Sequence, residues 1–310
     1  MNRPALRATM ALLLCLGLAG QAMAETLRVG PGQAFRVPSA AAAVARDGDR
    51  VLIAPGRYRD CAIWRAAGLS IEAAGMGAVE ISGPICAGKA LFVIAGRDAS
   101  VVGLTFRGAA FPGGNAAGIR AEGGDLRILR SRFLGNQNGI LAGGPPEASL
   151  VVEDSEFIGN GAHLHACAHG LYAGRLALLA IRRSRFEATV ICHHIKSRAA
   201  RTEVVDSLIL DGPEGMASYL LDLPNGGDLL LQGNEMRKGP RSGNPGVAVI
   251  VGAEGVTQPT QSLRLLDNRF TNLQPWRTVF LRNLSDTPAE LQGNVLRGPV
   301  VALEGPGQVR

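Results

Sequence analysis

A three-residue signature recurs along the chain, and its spacing restricts the possible folds more than any other feature. A small polar residue, any residue and a large apolar one recur as Ser131-Arg-Phe133, Ser155-Glu-Phe157, Ser184-Arg-Phe186, Ser207-Leu-Ile209, Asn234-Glu-Met236, Asn268-Arg-Phe270 and Asn294-Val-Leu296. The apolar positions are 24, 29, 23, 27, 34 and 26 residues apart. Alternating runs such as LRIL, LVVED, TEVVD and LRLLD come before the signature, and a further strand-like run closes each unit: GIRAEG, GILAGG, GLYAG, HIKSRA, YLLDLPNGG, VIVGAEG and VFLRN. Short runs of this kind, cut by Gly, Asn and Pro and lacking a helical period, specify an all-β chain. A period near 26 residues is too short for a propeller blade and fits one coil of a solenoid. Each side chain then stacks on its counterpart about 4.8 Å away in the next coil. Two interior ladders are predicted, one of Phe133, Phe157 and Phe186, the other of Ile119, Ile140, Leu171, Ile195 and Leu221. A lone coil could not bury either row, so the repeat is a physical requirement. The 41 glycines and 5% aromatic content suit many turns and slim strands.

The ends of the chain read differently. Residues 1–24 have the pattern of a secretory signal: Arg3 and Arg7, then the apolar MALLLCLGLAG, then Ala22-Met23-Ala24, with cleavage expected before Glu25. The apolar run is too short to span a bilayer, and no later transmembrane run follows. An exported, periplasmic or extracellular protein is expected, with residues 25–310 forming one domain. PSAAAAVARDG is predicted to be a helix from Pro38-Ser39 to just before Gly48, closing the open end of the solenoid. The net charge of +6 falls to about +4 without the signal, which favours an anionic partner weakly. The basic residues are dispersed and carry no aromatic interleaving, so nucleic acid is not expected. The expected state is a monomer.

Four cysteines remain beyond the signal: Cys61, Cys86, Cys167 and Cys192. Export permits disulfides. Of the three possible connectivities, the shared 25-residue separation favours Cys61–Cys86 and Cys167–Cys192.

The segment AAAVARDGDRVLIAPGRY resembles the capping opening of right-handed parallel β-helix proteins of the pectate-lyase-like superfamily, and the Ser/Asn-x-Phe coils resemble their repeats. The resemblance covers residues 26–310. It implies a single-stranded right-handed parallel β-helix. It does not fix an activity, because such folds host lyases, hydrolases, epimerases and noncatalytic adhesins.

Alternation along a strand then places the chemistry. With Ile195 and Ser197 facing inward, His194, Lys196 and Arg198 are predicted to face outward. Tyr172 and Asp222 fall in the column of Lys196, one coil before and one after, with Arg120, Leu141, Val251 and Leu281 further along. His169, His193, Asn225 and Arg120 are the candidate substrate-binding residues. The parallel sheet should form a long groove for an extended acidic polysaccharide. On a uronic polymer, Arg198 or Lys196 would neutralise the carboxylate. His194, Lys196 or Tyr172 would take the C5 proton, and Asp222 would oppose any loss of charge on Lys196. The Tyr, His, Lys and Asp set is similar in kind to that of alginate lyases and C5-epimerases on this fold. The expectation is a lyase or epimerase. The alternative is a noncatalytic β-helix that binds or scaffolds envelope polysaccharide.

HLHACAH offers a competing chemistry. If it is one extended strand, His163, His165, Cys167 and His169 share a face, and such ligands would suit zinc or copper. The equal cysteine spacings favour the disulfides instead, and no cofactor is expected. Calcium bridging protein and substrate stays open.

Overall fold

The computed structural model describes residues 24–310. The expected signal segment therefore lies outside the described residues, apart from its last alanine. The chain winds into a parallel β-solenoid of about 11 turns. A complete turn contributes one strand to each of three parallel sheets, and the sheets hold 12, 10 and 10 strands. One turn shows the plan: Leu126–Leu129 in the first sheet, Arg132–Leu134 in the second and Asn138–Ala142 in the third. The signature motif thus forms a short strand of its own. Two strands per unit were visible in the sequence pattern, and the three-residue middle strand is the addition.

The signature works because of both its ends. The phenylalanines stack through the interior, with ring centroids 5.2 Å apart for Phe106–Phe133, 4.6 Å for Phe133–Phe157 and 4.4 Å for Phe157–Phe186. The polar residue sits at a corner where backbone groups lack ladder partners, and it is buried from Ser131 through Asn268. The Ser155 hydroxyl oxygen accepts the Ser131 backbone N–H at 3.1 Å, and the Ser184 hydroxyl accepts that of Ser155 at 3.2 Å. Further along, the Asn268 side-chain oxygen accepts the Asn234 N–H at 3.0 Å. A buried N–H left without an acceptor would be costly, and from Ser131 onward a Ser or Asn at the corner supplies that acceptor to the coil before. The preceding residue makes the bend in the left-handed region, at Arg130, Asp154, Arg183, Asp206 and Asp267 as well as at Gly233 and Gly293.

Both predicted ladders are present. Ile119 pairs with Ile140, Ile140 with Leu171, Leu171 with Ile195 and Ile195 with Leu221. The N-terminal helix is shorter than expected, spanning only Pro38–Ala42. The Asp49 carboxylate accepts the backbone N–H groups of Arg46 and Glu25, drawing the chain into a turn before the strand Arg50–Ile53. The helix still packs against the first strands at the open end.

Cys61–Cys86 and Cys167–Cys192 are disulfides, with Cα separations of 5.4 and 5.8 Å. This takes Cys167 out of the ligand set of the metal alternative. Cys167 is committed to Cys192, and HLHACAH is not one strand: it turns over, pairing His163 with Cys167 in a small antiparallel hairpin. Among the described residues, no three His, Cys, Asp or Glu side chains gather as a metal shell, and no helix is long and apolar enough to cross a membrane.

Candidate active site

The outer face of the third sheet carries the site at mid-length. The strands Leu171–Ala173, His193–Ser197 and Tyr219–Leu223 lie side by side there. Tyr172 pairs in register with Lys196, and Lys196 with Asp222. The column continues through Leu141 to Arg120 on one side. On the other side it runs through Ile250 to Arg282, not through Val251 and Leu281 as expected. Val249, Val251 and Leu281 belong to the core instead, one position away from the outward column.

His194 is the main correction. It was expected to face the groove and is instead fully buried. The strand begins just after Cys192, whose φ of 69° bends the chain, and two successive residues then face the interior. Leu220 and Phe280, at the same position in later coils, are core residues too. The His194 ring pairs with Thr189 Oγ1 at 2.7 Å and with Asp211 Oδ1 at 2.9 Å. With the carboxylate as acceptor, Nε2 carries the proton and Nδ1 accepts from the hydroxyl. Asp211 also accepts the Gly239 backbone N–H. Burial lowers the pKa of nearby Lys238 to about 8, against the attraction of Asp211. The cluster supports the strand from beneath and offers nothing to a substrate.

The outward residues form one connected network. Arg198 Nε donates to the Tyr172 oxygen at 2.9 Å, and Arg198 also donates to the Asn225 side-chain oxygen. Lys196 Nζ lies 3.3 Å from Asp222 Oδ2. Glu254, from a loop two coils further on, receives Lys196 Nζ at 2.8 Å and an Arg198 guanidinium nitrogen at 2.6 Å. His193 faces outward within a ring stack, with centroids 4.9 Å from His169 and 5.0 Å from Tyr219. Its Nδ1 accepts the Tyr219 backbone N–H, and its Nε2 lies 3.4 Å from Asp222 Oδ2. The Asn138 side chain accepts the His169 backbone N–H at 2.8 Å. Gly170 lets the coils close here, since a Cβ on it would lie 2.5 Å from the His194 carbonyl oxygen.

The electrostatics separate the roles. Burial pushes the Asp222 carboxyl up to about 6, with the Lys196 charge pulling the other way. Burial first, then the Lys196 charge, pushes His193 down to about 3, so its ring stays neutral. His169 is held well below the ordinary histidine value by burial, then by His193, Lys196 and Arg198. Two buried atoms at the site have no partner in the protein: His169 Nδ1 and Asp222 Oδ1. Unsatisfied buried polar atoms are uncommon and concentrate where a ligand or water completes the shell. A depression of about 250 Å³ adjoins His169, lined also by Asn138, Arg120 and Tyr172 among others. Arg120 has its Nε unpartnered and lies 3.4 Å from Glu122.

Of the residues expected to act, Tyr172, Lys196, Arg198 and Asp222 come together, as do His169, His193 and Asn225 around them. Arg120 stands three strands away in the same column, and His194 is excluded. Glu254, Tyr219 and Asn138 were not foreseen. The repeat intervals carried a signal for two of the loops that frame the site. The 34-residue interval holds the extra segment with Glu254, and the 29-residue interval holds the hairpin of Cys167.

These features define a right-handed parallel β-helix of the pectate-lyase-like fold with a polar cluster on the groove sheet. Among solved structures, an alginate lyase from Paenibacillus sp. str. FPU-7 matches with a TM-score of 0.63 and 17% identity, over 90% of this chain and 99% of that one. A pectin methylesterase from Erwinia chrysanthemi matches with a TM-score of 0.47 and 12% identity, over 70% and 80%. The A-module of a mannuronan C-5 epimerase from Azotobacter vinelandii matches at 0.37 and 16%, over 88% and 92%. At such identities the likeness is one of fold. No family profile and no curated protein matches the sequence.

Proposed function

We propose that the protein is an exported enzyme that modifies an acidic polysaccharide by removing the C5 proton of a uronic residue. The observation that carries this reading is the Arg198–Tyr172 hydrogen bond beside Lys196, which stands in register with Tyr172 in the middle of a long sheet face. The polymer lies along that face, across the strands. Arg198 and Lys196 hold the uronate carboxylate and stabilise the negative charge that develops when C5 loses its proton. Lys196 and Tyr172 stand one strand apart, about 4.8 Å, close enough to act on a single sugar. Tyr172, as the phenolate whose oxygen accepts Arg198 Nε, takes the C5 proton. In elimination, the C5–H electrons form the C4–C5 double bond, the C4–O4 bond breaks and O4 receives the proton that Tyr172 took. In epimerisation, Lys196 returns a proton to C5 from the opposite face and no bond to O4 breaks. Asp222 and neutral His193 position Lys196 from below.

The test is incubation of the purified protein with alginate, polygalacturonate and glucuronate-containing polymers. Ultraviolet absorbance reports unsaturated product, and proton NMR reports C5 inversion. Lys196→Ala and Tyr172→Phe should each lower the rate by at least about 100-fold while leaving the circular dichroism unchanged. Turnover unaffected by both substitutions would end the catalytic assignment. Binding without turnover would favour a polysaccharide-binding role.

A further inference from the structure

Lys196 and Arg198 already hold a carboxylate, and it belongs to the protein. The two Glu254 oxygens are divided between them, Oε1 on Lys196 at 2.8 Å and Oε2 on Arg198 at 2.6 Å. Two cations spaced to take the two oxygens of one carboxylate form a fork, and planar bidentate pairing is a selective arrangement. The hydrogen bond from Lys196 is the main cause holding Glu254 below the ordinary carboxylate range. Exposure differs sharply across the pair: the Glu254 side chain is 46% exposed, Lys196 13% and Arg198 22%. The cations are built into the sheet, whereas the carboxylate reaches them from the solvent side.

The loop bearing Glu254 is anchored independently of that contact. The Glu254 backbone N–H donates to the Pro224 carbonyl at 2.8 Å, and those of Thr257 and Gln258 donate to the Asn225 carbonyl at 3.0 and 2.9 Å. The Asn225 side chain donates to the Gly255 carbonyl at 3.2 Å, and the Gln258 side chain to the Arg198 carbonyl at 3.0 Å. The backbone can therefore stay in place while the Glu254 side chain alone rotates away. An incoming carboxylate takes over both cations, so the exchange leaves no sheltered charge unpaired, while the half-exposed Glu254 returns to water.

We propose that Glu254 is an intramolecular competitor for the Lys196–Arg198 fork, which a substrate must displace with a free carboxylate of its own. This rests on the uronan reading above and extends it to specificity. A uronate carries two equivalent oxygens and replaces Glu254 contact for contact. A methyl ester or a neutral sugar cannot, because it brings no charge to compensate the cations once Glu254 leaves. The site thus selects unesterified uronic polymer, and Glu254 sets the threshold.

The experiment compares the full-length wild type with Glu254→Gln, which keeps the side-chain size and removes the charge. Calorimetry with a defined uronic hexasaccharide should show binding tightened about tenfold in the variant, with KM lowered to match. The methyl-esterified hexasaccharide should bind neither protein. A second arm uses acetate alone, followed by NMR of the Lys196 and Arg198 side chains. Acetate should shift those signals in Glu254→Gln at concentrations that leave the wild type unchanged. This arm does not depend on any glycan being the substrate. If acetate discriminates the two proteins and no uronic oligomer binds either, the uronan reading fails and the competitor role stands. If neither probe discriminates them, or if the variant loses affinity and turnover together, Glu254 orients the cations and the competitor role is overturned.

Discussion

At the scale of single residues, Asp222 shows how position governs chemistry. It is 4% exposed, with one oxygen shared by Lys196 and His193 and the other unpaired. Burial raises its pKa from 3.8 to about 6. Two consequences follow from the sign. Turnover should have an acidic limb near pH 6, because the protonated carboxyl no longer holds Lys196; Asp222→Asn should lower the rate and abolish that limb in a pH–rate profile. For stability, a carboxyl raised on folding favours the native state in its protonated form. That contribution is complete below the unfolded value and is lost as pH climbs through the folded one. Asp222→Asn should therefore raise the unfolding temperature at about pH 8 and leave it nearly unchanged at about pH 4. A lower unfolding temperature at the higher pH would show that the Lys196 pairing outweighs the burial cost. His194 teaches the reverse lesson. Its neighbour His193 faces the groove, yet one step along the chain puts His194 in the interior, against Asp211.

At the scale of elements, the strand His193–Ser197 is held at three points: its core ladder, the His194 cluster beneath it and the Cys167–Cys192 disulfide at its start. The two disulfides span equal separations of 25 residues, so their effects on chain entropy should be alike, about 3 kcal/mol each. Their effects on function should differ. Replacing Cys167 and Cys192 by Ser frees both the hairpin and the residue preceding His193, and should cost turnover or uronan binding beyond the loss of stability. Replacing Cys61 and Cys86 should lower the melting temperature by a similar amount and leave the site intact. Equal functional losses from the two replacements would remove the hairpin from the site. The equal spacing was legible in the sequence. The hairpin was not, since HLHACAH alternates like a strand and its return upon itself shows only in the pairing of His163 with Cys167.

At the scale of the whole molecule, the solenoid arrays cations along one face. Arg120 lies three strands before Lys196 and Arg282 three strands after it, in one column. Successive strands about 4.8 Å apart make this a linear row, which the proposed uronan would follow. Its affinity for uronan should fall by roughly tenfold between low and high salt, because charges at a surface are screened beyond about 8 Å at physiological ionic strength. Calorimetry across a salt series checks this; salt-independent binding would mean that sugar hydroxyls and ring faces dominate.

The repeat alone determined the solenoid, its two interior ladders, the disulfide pairs and the alignment of Tyr172, Lys196 and Asp222. All of these follow from a period, and a period is a local property of the chain. What a period cannot convey was decided by the tertiary structure. The offset between alternation and true register moved Ile250 and Arg282 into the groove column in place of Val251 and Leu281. The loop of Glu254 folded back across two coils to bring a carboxylate onto Lys196 and Arg198. Each of these depends on where a non-repeating segment goes once the coils are stacked, and only contacts between residues distant in sequence set that.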